Sequence, residues 1–131
     1  MFLLAACAAG SSSATGQIVG EEERSTIWDG IYTDEQAARG ERTAWMNCFA
    51  CHSSQDWSGS PLFVSASSNQ RLGDLYQDIS RSMPEDAPGS LTPQQYADVL
   101  SYILKLQDAP PGDRELPPDL VELDQILVTP P

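Results

Sequence analysis

The run Cys48-Phe49-Ala50-Cys51-His52 is a C-x-x-C-H pattern, which reads as the attachment site of a covalently bound haem. Two thiols one helical turn apart can add across the two vinyl groups of a single haem. The adjacent imidazole then lies under the ring and ligates the iron from one face. A zinc site needs about four cysteine or histidine ligands, but the sequence has one histidine and only Cys7 besides this pair. A thioredoxin-like redox pair would sit at the start of a helix after a strand, and no βαβ pattern surrounds these residues. One such run means one haem, held by Cys48, Cys51 and His52.

Upstream of the run, Thr33 opens a helix, with Gln36 completing a capping box and Asp34 and Glu35 in the first turn. Ala37, Gly40, Ala44 and Cys48 recur at spacings of three and four and mark one small-residue face. A mid-helix glycine is destabilising relative to alanine, so Gly40 is expected to permit close approach of another helix. Before this helix, Ile27, Trp28, Ile31 and Tyr32 form an apolar strap with no chemistry of its own.

Downstream, Ser53 to Ser60 reads as a polar loop containing Trp57, followed by a short apolar patch at Pro61-Leu62-Phe63-Val64. Leu72, Leu75, Tyr76, Ile79 and Met83 form a helical stripe that Pro84 stops. Thr92-Pro93-Gln94-Gln95 is the clearest helix start, with Thr at the N-cap, Pro at the first position and Gln at the third. That helix is expected to reach about Gln107, with Tyr96, Val99, Leu100, Ile103 and Leu106 on its apolar face.

At 131 residues the chain holds one domain plus tails. Residues 1–25 read as a signal remnant and flexible tether, residues 26–108 as the folded domain, and residues 109–131 as an extended, acidic, proline-rich tail, partly docked. Three helices over about eighty residues make a marginal core. Haem at the centre solves this, so the aromatics and leucines above are expected mostly to wall the haem pocket, and the haem-free chain to fold poorly. A formal charge of −12 argues against nucleic acid. It suits a partner with a basic docking patch, and it serves solubility alone equally well. No run of eighteen apolar residues is present to span a membrane.

The sixth iron ligand follows by elimination. No second histidine exists, and the methionines are Met1, Met46 and Met83. Met1 belongs to the tether, and Met46 is two residues before Cys48 on the same helix, so it cannot reach the opposite face. Met83 remains, at a helix end and fixed by Pro84. Its soft thioether suits haem iron and raises the reduction potential. The rival reading is an ordinary core methionine. No distal acid or base for oxygen or peroxide chemistry is apparent.

The segment Leu4-Ala5-Ala6-Cys7 resembles a bacterial lipoprotein lipobox, which implies cleavage before Cys7, acylation of its sulfur and an outer-membrane destination. Met1 to Ala6 are short for a signal peptide and lack a basic start, so the expectation is a sequence that begins inside the signal. The alternative is an N-terminus bearing one stray thiol.

Gly40, the C-x-x-C-H run, Pro61-Leu62, Ser82-Met83-Pro84, Pro88 to Thr92 and Gln95 to Leu104 together resemble a class I monohaem c-type cytochrome. The resemblance is particularly to bacterial periplasmic cytochromes found beside pyrroloquinoline-quinone dehydrogenases, and covers about Trp28 to Gln107. It implies an all-α fold in which three main helices wrap one covalent haem, with extended N- and C-terminal straps. It also implies axial ligation by His52 and Met83, and a Pro61 carbonyl that accepts the His52 Nδ1 proton. Gly40 would pack against Val99 and Tyr102. The family has an aromatic four residues after that glycine, where this chain has Ala44 followed by Trp45. Arg71, Trp57 and Tyr76 are candidates for the haem propionates. The implied role is non-enzymatic: single-electron transfer between periplasmic redox proteins, from a dehydrogenase to an oxidase or another cytochrome. Two alternatives stand beside it, a gas or redox sensor with a labile distal ligand and a docked subunit of a larger complex.

Overall fold

The two longest helices begin at the threonines that the sequence marks as caps. In the computed structural model, which describes residues 24–58 and 70–131, the order is α1 (Asp34–Asn47), α2 (Ser54–Trp57), β1 (Gln70–Arg71), α3 (Leu72–Ser82), α4 (Pro93–Leu106), α5 (Leu120–Leu123) and β2 (Leu127–Val128). Thr92 forms the full capping box of α4: its hydroxyl accepts from the Gln95 N–H at 3.2 Å, and its own N–H donates to Gln95 Oε1 at 2.9 Å. Thr33 likewise accepts from the Gln36 N–H at 3.1 Å. The expected return half of that box is absent, because the Gln36 side chain is engaged elsewhere.

Its partner is the C-terminal segment. The Gln36 amide, fully buried, donates to the Leu116 carbonyl at 2.9 Å and accepts from the Leu116 N–H at 2.6 Å. One side chain thus satisfies both backbone groups of a residue eighty positions away, as a neighbouring strand would. The segment after α4 is therefore docked far more thoroughly than an extended, partly docked tail. Leu116, Leu123, Ile126 and Val128 are buried in the main core, and Asp119 caps α5 by accepting from the Val121 and Glu122 N–H groups.

The N-terminal strap is clamped against the same segment. Ile27 donates to the Leu127 carbonyl at 3.0 Å, Leu127 to the Ser25 carbonyl at 2.8 Å, and Trp28 Nε1 to the Thr129 carbonyl at 2.8 Å. On its other edge β2 pairs antiparallel with β1, Gln70 opposite Val128 and Arg71 opposite Leu127. Gly30 (φ +65°) occupies the left-handed region and lies so close to Gly112 that a Cβ on Gly112 would stand 1.9 Å from the Gly30 carbonyl oxygen. The buried Tyr32 hydroxyl donates to the Ala109 carbonyl at 2.6 Å, and burial, with Asp34 and Asp108 nearby, pushes its pKa up to about 12.

α1 and α4 make the most extensive contact between elements. At the crossing Gly40 lies directly on the α4 backbone: a Cβ there would be 1.8 Å from the Asp98 carbonyl oxygen and 3.0 Å from Tyr102 Cβ. The atoms nearest that Cβ thus belong to Asp98 and Tyr102, Tyr102 being one of the two expected neighbours. The substitution four residues on is accommodated by size. Ala44 is fully buried against the cluster of Val99, Tyr102, Ile103 and Trp57, while Trp45 points outward, 72% exposed. Arg39 ties the crossing to the C-terminal segment, pairing with Asp98 at 3.0 Å and with Glu115 at 2.8 Å. Those two carboxylates, Glu115 foremost, raise its already high pKa further.

Among the described residues, the buried apolar side chains fall into two clusters. The larger gathers Ile27, Tyr32, Leu72, Tyr76, Tyr96, Leu100 and Leu104 with the C-terminal apolar residues. The smaller, Ala44, Trp57, Val99, Tyr102 and Ile103, lies beside the C-x-x-C-H run. Most of the predicted pocket walls therefore pack against protein, because the C-terminal segment supplies an apolar surface that the sequence reading did not assign to the core.

Candidate haem-binding site

Cys48 is the C-cap of α1, its N–H donating to the Ala44 carbonyl at 2.8 Å. The turn continues through the run: the Cys51 and His52 N–H groups both donate to the Cys48 carbonyl, at 3.1 and 2.9 Å. Cys48 is half-buried, which pushes its thiol pKa up, and Cys51 is exposed. Phe49 turns inward, its ring 5.4 Å from Trp57 and 6.5 Å from Tyr102. The supposed polar loop after His52 contains a helical turn, α2, started by Ser53 and Asp56. The Asp56 carboxylate accepts from the Ser53 N–H at 2.7 Å and from its hydroxyl at 3.1 Å, which holds Asp56 below the usual carboxylate range. The S-x-x-D pattern was the signal that could have revealed this turn. Its product is the placement of Trp57, buried and 5.6 Å from the His52 ring, with its carbonyl accepting from Gln107 Nε2.

The facing wall comes from α3, the chain after it, and α4. Met83 is the C-cap of α3, its N–H donating to the Ile79 carbonyl at 2.9 Å. The Met83 carbonyl accepts from the Tyr96 hydroxyl of α4 at 2.7 Å. Leu75, Ile79, Val99 and Ile103 complete an apolar lining.

The cavity is about 620 Å³, within the range of pockets that hold cofactors. Cys48, Cys51 and His52 line it together with Met83 and Pro84. Two thiols, an imidazole, a thioether and aliphatic walls are the donor set and surroundings that a c-type haem requires. The residues fit the group. Its iron, when bound, supplies the one-electron change of valence. A second cleft, about 700 Å³, opens between the straps, where it is lined by Asp29, Asp113, Arg114, Glu115 and Glu122. It contains no cysteine, histidine or methionine, and its charged lining suits solvent rather than a porphyrin.

The structure brings Cys48, Cys51, His52 and Met83 to the lining of one cavity. Pro61, Cys7 and the tether lie outside the described residues. Of the propionate candidates only Trp57 lines the cavity. Tyr76 donates instead to the Pro93 carbonyl at 3.1 Å, and Arg71 stands at the N-cap of α3 beside β2. Met46 belongs to the α1 side and is 75% exposed. The sequence reading missed Glu85 and Asp86, two exposed carboxylates in the cavity lining just after Met83. Acidic residues in a turn carry no pattern that separates a cavity rim from a solvated loop.

A mainly helical chain with a C-x-x-C-H run opening into an apolar cavity defines a small haem protein of the cytochrome c class. The model of the family described as cytochrome C oxidase, cbb3-type, subunit III matches residues 35–103, more than half of the chain. The chain belongs to that family and is a c-type monohaem cytochrome with a general role in haem-based electron transfer. The match runs from α1 into α4, and both straps lie outside it. Comparison with curated proteins and with solved structures returned no match.

Proposed function

We propose that this chain is a one-electron carrier between redox proteins outside the cytoplasm, holding one haem through thioethers to Cys48 and Cys51. His52 and Met83 would ligate its iron, and the Pro61 carbonyl would orient the His52 ring. In this reading α1, α3 and α4 wrap the haem, and the straps hold them together from behind. The observation that carries it is the meeting of Cys48, Cys51 and His52 with Met83 across one aliphatic cavity. This chain's residues bind and orient the group, exclude water from most of its surface, and leave no vacant position at which a substrate would react. Exposed Cys51, Met46, Glu85 and Asp86 at the rim leave an edge open for transfer to a partner. Two carboxylates there, on a chain of charge −12, suit a partner with a basic docking patch.

Donor and acceptor in this proposal are a dehydrogenase and an oxidase or second cytochrome. Domains of this family are typically extracytoplasmic, which supports a periplasmic setting. No helix among the described residues is long and apolar enough to cross a membrane. The proposal includes an outer-membrane anchor through acylated Cys7, from the likeness of Leu4 to Cys7 to a lipobox. The domain proper is taken as residues 26–108, with the docked C-terminal segment as its brace. The family's description as an oxidase subunit favours a second reading, a cytochrome docked permanently in a larger complex. Stable co-purification with membrane subunits would select it.

The test is a denaturing gel stained for haem, together with a redox titration. The proposal expects haem stain that survives denaturation, its loss in the Cys48→Ala/Cys51→Ala double variant, and a titration curve of one electron. Haem that washes out on denaturation would contradict it.

A further inference from the structure

The nine residues from Met83 to Leu91 that join α3 to α4 have little of their own to hold them. Glu85, Asp86, Ala87, Pro88, Gly89 and Ser90 are all exposed. Their backbone bonds are local turns, Ala87 N–H to the Pro84 carbonyl at 3.0 Å and Ser90 N–H to the Ala87 carbonyl at 3.2 Å. Among the described residues, one side chain reaches the backbone of this loop from elsewhere, and it does so at both ends. The Tyr96 hydroxyl donates to the Met83 carbonyl at 2.7 Å, and its oxygen accepts a long bond from the Leu91 N–H at 3.5 Å.

Tyr96 is itself firmly seated. It is 4% exposed, on the first turn of the boxed helix α4, with the Tyr76 ring edge-on at 6.4 Å. A buried hydroxyl without a partner is destabilising, so the phenol is favoured over phenylalanine here by the bond that it makes. Met83 has left the α3 ladder on its carbonyl side, and Pro84 has no N–H to donate. The Tyr96 hydroxyl fills that place.

We infer that Tyr96 is the positioning residue of the distal thioether: by closing the loop at Met83 it holds that side chain against the cavity and suppresses its release. The inference rests on Met83 as axial ligand. An external ligand binds in proportion to the fraction of protein in which the sixth position is open, and Tyr96 keeps that fraction small. Few side chains in this chain could recapture a released position. His52 is the sole histidine, and the sole lysine, Lys105, pairs with Asp34 at 2.8 Å.

The experiment compares haem-loaded wild type with Tyr96→Phe, Tyr76→Phe and Met83→Ala. Carbon monoxide affinity is read in the reduced state, and the sulfur-to-iron charge-transfer band in the oxidised state. Tyr96→Phe should raise the carbon monoxide association constant about fivefold, the factor that one net hydrogen bond represents, and weaken the charge-transfer band. Tyr76→Phe deletes a part-buried hydroxyl bond to Pro93, outside the loop, and should lower the urea midpoint while leaving both signals unchanged. The inference is overturned if Tyr96→Phe matches wild type in both signals, or if Tyr76→Phe moves them equally. A wild type that binds carbon monoxide as readily as Met83→Ala would instead overturn the ligation itself, and this inference with it.

Discussion

Replacing Gly40 by alanine probes the α1–α4 crossing directly. The added Cβ would stand 1.8 Å from the Asp98 carbonyl oxygen and 2.4 Å from its carbon. Both are backbone atoms of a helix interior, so no rotamer change relieves the clash, and the helices must separate by about an ångström. Overpacking of a close-packed contact costs ~3 kcal/mol at the upper end of its usual range. Alanine recovers ~1 kcal/mol of helix propensity over glycine. The net expectation is a loss of ~2 kcal/mol, which moves a urea midpoint down by about 1–2 M for a protein of this size. The assay is urea denaturation of the haem-loaded protein followed by far-UV circular dichroism. A midpoint at or above wild type would mean that propensity alone governs this position and would refute the close-approach argument.

Further outcomes follow from individual contacts. Gln36→Ala leaves both Leu116 backbone groups buried without partners, so stability should fall by ~2–4 kcal/mol. Gln36 does not line the cavity, and the visible spectrum should not change. Tyr32 has its pKa raised from 10.0 to about 12, so between those values the folded state holds the proton that the unfolded state releases. Stability should therefore decline as pH rises from about 10 to 12, and Tyr32→Phe should flatten part of that decline in urea midpoints measured across the range. Lys105→Ala removes an exposed ion pair and should shift stability by no more than ~0.5 kcal/mol in the same assay.

What the sequence made legible was local. Thr92-Pro93 and Thr33 announce their helices because capping is a contact between residues three apart, and Met83-Pro84 marks a helix end for the same kind of reason. Cys48, Cys51, His52 and Met83 were singled out through chemistry, since two thiols, one imidazole and one eligible methionine leave few arrangements. The misses were long-range. Nothing local to Gln36 distinguishes an amide that caps its own helix from one that holds Leu116. Nothing local to Leu116, Leu123, Ile126 and Val128, scattered among prolines and acids, reveals that they join Ile27 and Tyr32 in the main core. Tyr96 read as one more apolar-face residue of α4, and its bond to Met83 spans the loop between two helices. Ser53 and Asp56 were an exception, a local pattern overlooked because α2 is a single turn amid polar residues.

The central claim is that His52 and Met83 together saturate the iron. It is tested most directly by the visible spectrum of the reduced, haem-loaded protein before and after addition of carbon monoxide, with Met83→Ala alongside. At a carbon monoxide concentration that fully shifts the Soret band of Met83→Ala, the account predicts no change for wild type. A shifted band in wild type would contradict it: the sixth position would then be open or labile, and a gas-binding or sensing role would take the place of electron transfer.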